Sequence, residues 1–359
     1  MALALLFGAH GHQPVGNFPS VLATAHERCY RPFLRTLHRF PGFRFSLHFS
    51  GCLLDYLLAR HPGDMALLAE MVDRGQVELF GGGDCEPVLA AIPERDRIGQ
   101  ILALSEMLER RFGCRPTGAW LTERVWEPTV VPALADCGIR YVTVDDYHFL
   151  CAGKDAGDLD GFHTTEEGGR RLDIFPISEA LRYRLPFSPA ADAVAYLEQL
   201  AAAGRAAAIY FDDIEKLGIW RNFFTRYPES NWMHKRVLAA SQRLAGLAPE
   251  LRAPEMTSAL YRAQGNDAYW HGLFGGIYLP HLRRARWRKH RETLRAGGHA
   301  PDRLVTASWP AGGDAADRVR RRASELRRRR WALHPRRRLD PVRIRRGSGT
   351  GRRRCDHAR

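Results

Sequence analysis

A chain of 359 residues with 45% hydrophobic and 26% charged residues is long enough for about two domains and too apolar for wholesale disorder. Its formal charge of +14 suggests a nucleic-acid binder until it is divided along the chain: residues 291–359 hold 21 Arg, no Lys and 7 acids, whereas residues 1–290 hold 33 basic and 33 acidic residues and are neutral. Seven scattered cysteines without a Cys-x-x-Cys pair argue against a disulfide framework or a zinc ribbon and point to a reducing, cytoplasmic setting.

In chain order, the first apolar run lacks the basic residues and cleavage site of a leader, and no run reaches the roughly 20 apolar residues of a membrane helix. Short β-rich runs predict strands at Leu3–Ala9, Phe43–Phe49, Val77–Gly81, Gly118–Leu121, Tyr141–Val144, Arg171–Phe175 and Ala207–Phe211. Between them, stretches such as Ile98–Arg111 and Val194–Ala203 carry the 3.6-residue period of amphipathic helices. Strands alternating with helices predict an α/β fold with parallel strands and right-handed crossovers, here a seven-stranded (β/α) barrel. Residues just past strand C-termini line the active site in such barrels.

The strand ends are polar: His10-Gly-His12-Gln13, His48-Phe-Ser50, Gly83-Asp84-Cys85-Glu86, Thr122-Glu123-Arg124, Asp145-Asp146-Tyr147-His148 and Asp212-Asp213. Any one of these words could simply cap the next helix. Six in succession are better explained by a shared pocket. Past Trp220 the texture turns helical through residue 290, and residues 291–359 lose every Phe, Tyr, Met, Asn, Gln and Lys. With no apolar period to build a core, that Arg-rich stretch reads as a disordered tail rather than a nucleic-acid arm. The predicted organisation is 1–220 catalytic, 221–290 helical and 291–359 tail.

Two carboxylates stand out. Glu123 follows a strand between Trp120 and Trp126, and Asp213 follows the last strand in Tyr210-Phe-Asp-Asp-Ile-Glu215. Glycoside cleavage with retention needs a nucleophilic carboxylate and an acid/base about 5–5.5 Å apart, and indole faces pack against the C–H face of a pyranose. A plainer account makes Glu123 and Arg124 a local ion pair and the tryptophans core.

The ordered words His10-Gly-His12-Gln13-Pro14, Gly75-Gln-Val-Glu78, Cys85-Glu86-Pro-Val-Leu89, Trp120-Leu-Thr-Glu123-Arg-Val-Trp126 and Asp212-Asp213-Ile-Glu215-Lys-Leu-Gly218 decide more. Together with Tyr227-Pro-Glu-Ser-Asn-Trp and Asn266–Arg284, they make residues 1–288 resemble glycoside hydrolase family 57, in its 4-α-glucanotransferase/α-amylase branch. The resemblance implies Glu123 as nucleophile and Asp213 as acid/base, with Asp212 ranked second. It implies sugar contacts from His12, Glu78, Trp120, Glu215, Trp220, Asp267 and Trp270. It implies an α-glucan or maltooligosaccharide substrate, no metal or organic cofactor, no specific nucleic-acid or membrane partner, and leaves a homo-oligomer open. Members of that branch carry a long segment where Lys216-Leu-Gly-Ile-Trp220 here runs straight into Arg221, which implies an internal deletion; their β-rich C-terminal region is replaced by the Arg-rich tail. Two other readings stay open: a non-catalytic glucan-binding remnant, and a metal-dependent deacetylase or mannosidase with His10, His12, Asp84 and His148 on zinc.

Overall fold

The computed structural model describes residues 2–185, 188–211 and 228–269, with single positions between 281 and 292. These all fall in one unit of the chain, Met1–Pro301. The junction at Trp220 and all of the tail but Glu292 lie outside the described residues.

Among the described residues, eight strands form, most of them where aromatic and branched residues favour a pleated surface: β1 (Ala4–Gly11), β2 (Phe45–Phe49), β3 (Val77–Leu79), β4 (Gly118–Trp120), β5 (Tyr141–Asp145), β6 (His163–Glu167), β7 (Arg170–Ile177) and β8 (Ala207–Phe211). One sheet has the order β3-β2-β1-β8, the other β4-β5-β7-β6. Every pairing is parallel except β6 with β7. The two sheets touch at both flanks. Gly81 bridges Ala119 in parallel, with Trp120 N–H donating to the Gly81 carbonyl at 2.9 Å, and Ser178 N–H at the end of β7 donates to Ile209 of β8 at 2.9 Å.

The seven expected strands are all present, with ends moved by a few residues. β6 was not foreseen. It is a polar strand, joined to β7 through Gly168 and Gly169 at φ +57° and +76°, the doubly positive φ that a tight hairpin turn requires.

Between the two sheets lies an aromatic plug of Phe80, Trp120, Ile177 and Phe211, flanked by Tyr141. Gly8 makes room for it, since a Cβ there would lie 2.2 Å from the Phe211 ring. On the outside, helices Gly51–Arg60, Pro62–Asp73 and Glu94–Phe112 bury Leu53, Leu57, Leu68 and Leu104 against Leu47 and Leu79. Each such leucine contributes about 1.5–3 kcal/mol of transfer free energy. The helix Glu94–Phe112 places Glu94 and Asp96 in its first turn and Arg110 and Arg111 in its last, and ends on left-handed Gly113, so its charges oppose its own dipole ends.

Helices Pro228–Gly246 and Pro254–Gln264 pack together through Val237, Ala240, Leu244, Met256 and Leu260. A buried polar network fastens them to the helix Glu94–Phe112. Asp96 Oδ2 accepts from Ser241 Oγ and Gln264 Nε2, each at 2.5 Å, and Gln100 Nε2 donates to Gln264 Oε1 at 2.7 Å. Buried polar groups matched in this way avoid the 1–3 kcal/mol that each unpaired group costs.

Candidate active site

The C-terminal ends of β1, β2 and β3 gather a set of imidazoles and carboxylates. In the β1–β2 register His10 lies opposite His48, and their Nδ1 atoms are 2.8 Å apart, so one ring donates to the other. Burial holds both imidazoles well below the ordinary histidine range, and the neighbouring His12 presses in the same direction. His48 Nε2 faces Glu86 Oε1 at 3.5 Å.

His12 behaves in the opposite way. Burial works against its charge, but the charge and hydrogen bond of Asp267, and then the charge of Glu86, outweigh it and raise its pKa to about 9. As an imidazolium it donates from Nδ1 to Ser50 Oγ and from Nε2 to Asp267 Oδ1, both at 2.9 Å. Asp267 opens a short 3₁₀ turn. The preceding Asn266 donates from both its backbone N–H and its Nδ2 to the Glu86 carbonyl.

The other flank is built on guanidinium and carboxylate. Arg124 has no exposed surface, and its Nε lies 3.0 Å from Asp145 Oδ1 at the end of β5, the same oxygen that Arg182 reaches at 2.5 Å. Glu123, half-buried after β4, has φ +56° and ψ +19°. Among the described residues, the non-glycine positions with positive φ are Glu86, Glu123 and Arg124. Each costs about 1–3 kcal/mol, and the three fall in the segments that follow β3 and β4.

The predicted residues divide accordingly. His12 and Asp267 are brought together, and Glu123 follows β4 in a left-handed turn. Trp120, expected as a sugar contact, is fully buried, with its indole stacked under His10 at 4.5 Å between ring centres. Glu78 also sits apart. It pairs with Ser46, two residues before His48, and accepts from the Tyr141 hydroxyl. Asp212, Asp213, Glu215, Trp220 and Trp270 lie outside the described residues.

The proposed zinc quartet is dispersed. Asp84 accepts a bond from the Cys85 thiol, and His148 bonds the Arg124 backbone. The metal-type donors that do converge here, within 4.8 Å of one another, are His10, His48 and Glu86. A second such group, His26, His61 and Asp64, has its carboxylate already engaged by Arg31 and Arg35. Sequence reasoning did not assign roles to His48, Ser50, Glu86, Arg124, Asp145 or Arg182. The first five stand in the polar strand-end words. Arg182, on the short helix Glu179–Arg182, had no such signal.

Comparisons with known proteins identify the family. The family model described as glycosyl hydrolase family 57 matches residues 6–245, and one described as alpha-amylase/4-alpha-glucanotransferase, middle domain, matches residues 218–294. A 4-alpha-glucanotransferase of Thermococcus kodakarensis is 36% identical over 375 positions, covering 79% of this chain and 56% of that protein. An alpha-amylase of Pyrococcus furiosus is 37% identical, covering 79% and 57%. The crystal structure of 4-alpha-glucanotransferase from Thermococcus litoralis superposes with a TM-score of 0.77 at 34% identity, covering 84% of this chain and 60% of that one. The chain thus spans just over half the length of the curated relatives it matches. In the first alignment 79% of 359 residues is about 284, so about 90 of its 375 positions have no counterpart here.

Proposed function

The chain belongs to glycosyl hydrolase family 57, and on that premise we propose that it is a retaining enzyme of α-1,4-linked glucans, of the 4-α-glucanotransferase or α-amylase type. Glu123 attacks the anomeric carbon and forms a glycosyl ester as the glycosidic C–O bond breaks. Asp213 protonates the departing oxygen. It then takes the proton from an incoming hydroxyl, of a second glucan for transfer or of water for hydrolysis, as the ester is cleaved.

The observation that carries this reading is the coincidence of strained backbone with the family's catalytic word. Glu123 and Arg124 hold left-handed φ at the end of β4, and strain of this kind concentrates where the surrounding structure fixes a reactive group. Arg124 and Arg182 share one buried carboxylate, Asp145, which fixes two guanidiniums at the end of β5. The His12 imidazolium, with its two N–H groups engaged by Ser50 and Asp267, holds the Asp267 carboxylate in place as an acceptor for sugar hydroxyls. We place seven parallel strands in a closed (β/α) barrel, with β6 outside it, supported by the Gly81–Ala119 bridge and the Ser178–Ile209 bond. Residues 1–220 form that catalytic region, 221–290 a helical one and 291–359 an Arg-rich tail. The absence of a long apolar helix among the described residues and the free thiols favour a cytoplasmic site of action.

The shortfall of about 90 aligned positions, which we assign to the junction after Trp220, favours a second reading: a chain that binds maltooligosaccharides and turns them over slowly or not at all. Asp213 lies close before that junction and its supporting shell is the part most affected, whereas the Glu123 word is whole. Incubation with maltopentaose separates these outcomes. A ladder of longer and shorter oligosaccharides means transfer, shortening alone means hydrolysis, and calorimetric binding without products means the remnant. No binding and no products would remove the glucan reading.

A further inference from the structure

Beside the imidazole flank stand two thiols that the glycosidic chemistry does not use. Cys52 and Cys85 have their Sγ atoms 3.2 Å apart, on chain segments 33 residues distant from each other. Their approach is built into the backbone. Gly51 N–H donates to the Asp84 carbonyl at 2.8 Å. The two chains come so close there that a Cβ on residue 51 would lie 1.9 Å from Asp84 Oδ1. The residues that follow, Cys52 and Cys85, are therefore set side by side. Cys85 is anchored further, its N–H donating to Gln100 Oε1 at 2.9 Å and its carbonyl packed against Gly265, where a Cβ would sit at 2.9 Å.

We propose that Cys52 and Cys85 form a reversible disulfide site that takes its oxidising equivalents from a small disulfide such as oxidised glutathione. The access is asymmetric: Cys52 is half-exposed and Cys85 is buried. The Cys52 thiol, losing its proton, attacks the glutathione disulfide, forming a Cys52–glutathione bond and releasing one reduced glutathione. The Cys85 thiol, losing its proton, then attacks Cys52 Sγ, forming the Cys52–Cys85 bond and releasing the second glutathione. Two protein thiols are oxidised and one glutathione disulfide is reduced to two thiols, so electrons and protons balance. A disulfide bond is about 2.05 Å long, so closure asks the sulfurs to approach by about 1.1 Å from their 3.2 Å separation. Its burial and the Cys85 hydrogen bond to Asp84 make the pair a poor target for larger oxidants.

The pair sits where closure is felt. Cys85 precedes Glu86, the strained residue facing His48, and Cys52 follows Ser50, which holds His12. Drawing the two together moves both supports, and misplacement by about 1 Å near a catalytic centre costs roughly 10²-fold. The linkage stands on geometry alone, while its effect on turnover rests on the glucan reading above.

The test is peptide mapping by mass spectrometry of the full-length protein after oxidised glutathione, alkylation of free thiols and proteolysis. The expected product in most molecules is a Cys52–Cys85 linked pair lighter by two hydrogens, lost again on treatment with dithiothreitol; C52S should abolish it and leave Cys85 unoxidised. A stable glutathione adduct on Cys52 with Cys85 still open to alkylation, or oxidation confined to the exposed Cys29 and Cys151, would overturn the site. In the maltopentaose assay, oxidation should slow the wild type by about tenfold or more and leave C52S within about twofold of its reduced rate. Unchanged wild-type turnover with the linkage formed would overturn the coupling to the site. A protein without any glucan activity leaves the mapping result intact, so the two readings fail separately.

Discussion

On one flank of the strand ends stand His10, His12, His48 and Glu86; on the other stand Glu123, Arg124, Asp145 and Arg182. The first flank is held by partners from distant parts of the chain. His12 reaches Asp267 across 255 residues, and Asn266 holds Glu86 across 180. The second is nearly local, with Asp145 and Arg182 separated by 37 residues. They differ in chemistry as well. Imidazoles gain and lose protons near neutrality, whereas guanidinium keeps its charge. One flank therefore responds to pH and to the integrity of the helical segment, and the other keeps a constant field around the residue proposed to react.

The sharpest way to break this comparison is at Glu123. Glu123→Gln cannot form a glycosyl ester, and turnover of maltopentaose should fall by about 10³-fold or more, while maltooligosaccharide binding measured by calorimetry stays within a few fold. Retention of a tenth of wild-type turnover would move the reaction off this flank.

Asp145→Ala tests whether the second flank is fixed by charge. It removes the carboxylate that Arg124, which has no exposed surface, shares with Arg182, and loss of one partner of a buried pair costs about 3–5 kcal/mol. Urea unfolding should show that loss as a lower midpoint with the slope unchanged. A cost below about 1 kcal/mol would mean that water reaches the guanidiniums.

The first flank is probed through Asp267. In Asp267→Asn the charge that lifts His12 is gone while burial remains, so its pKa should drop from about 9 to or below the ordinary 6.5. The ring C–H resonances of histidine report this directly by NMR titration. A His12 pKa still near 9 would assign the shift to Glu86 instead.

The smallest effect is the pH profile of stability, and it has two limbs. For His10, His48, His26, His61 and His148, folding lowers the pKa, so below about pH 6.5 the unfolded chain binds protons first and stability falls as pH falls. For His12 folding raises it; that contribution is fully present below about pH 6.5 and is lost as pH rises through about 9. The melting temperature should peak between them. Asp267→Asn should flatten the alkaline limb and leave the acid limb in place.

The sequence made the local parts of this picture legible. Strands such as Tyr141–Asp145 and Ala207–Phe211 declare themselves by composition, and the polar words after them placed most of the rim. β6 escaped because His-Thr-Thr-Glu-Glu carries no apolar face, and only the Gly168-Gly169 turn marked it. The burial of Trp120 was hidden for a different reason. A tryptophan at a strand end reads the same whether it faces a ligand or a plug, and the Gly8 gap that admits Phe211 beneath it is decided by packing across the sheets. Glu78 is the exposed residue of β3, between buried Val77 and Leu79, and its height follows from register with Ser46, which no single segment encodes. Pairings such as His12 with Asp267 depend on tertiary closure, and sequence names the partners without joining them.

The span between His12 and Asp267 also sets a clock. Ribosomes add about 5–20 residues per second, so the 255 residues that separate the two take roughly 10–50 s to synthesise. During that interval a nascent chain has its β1 histidine words, and from residue 123 onward its Glu123 word, but not the carboxylate that charges His12. The imidazole waits without its counter-ion, and the strained backbone at Glu86 waits for Asn266. Assembly of the rim is thus a late event in translation. A chain that stalls or is cut before residue 267 carries the reactive word in a half-built cleft, and such products should appear as inert, protease-sensitive fragments rather than as weakly active enzyme.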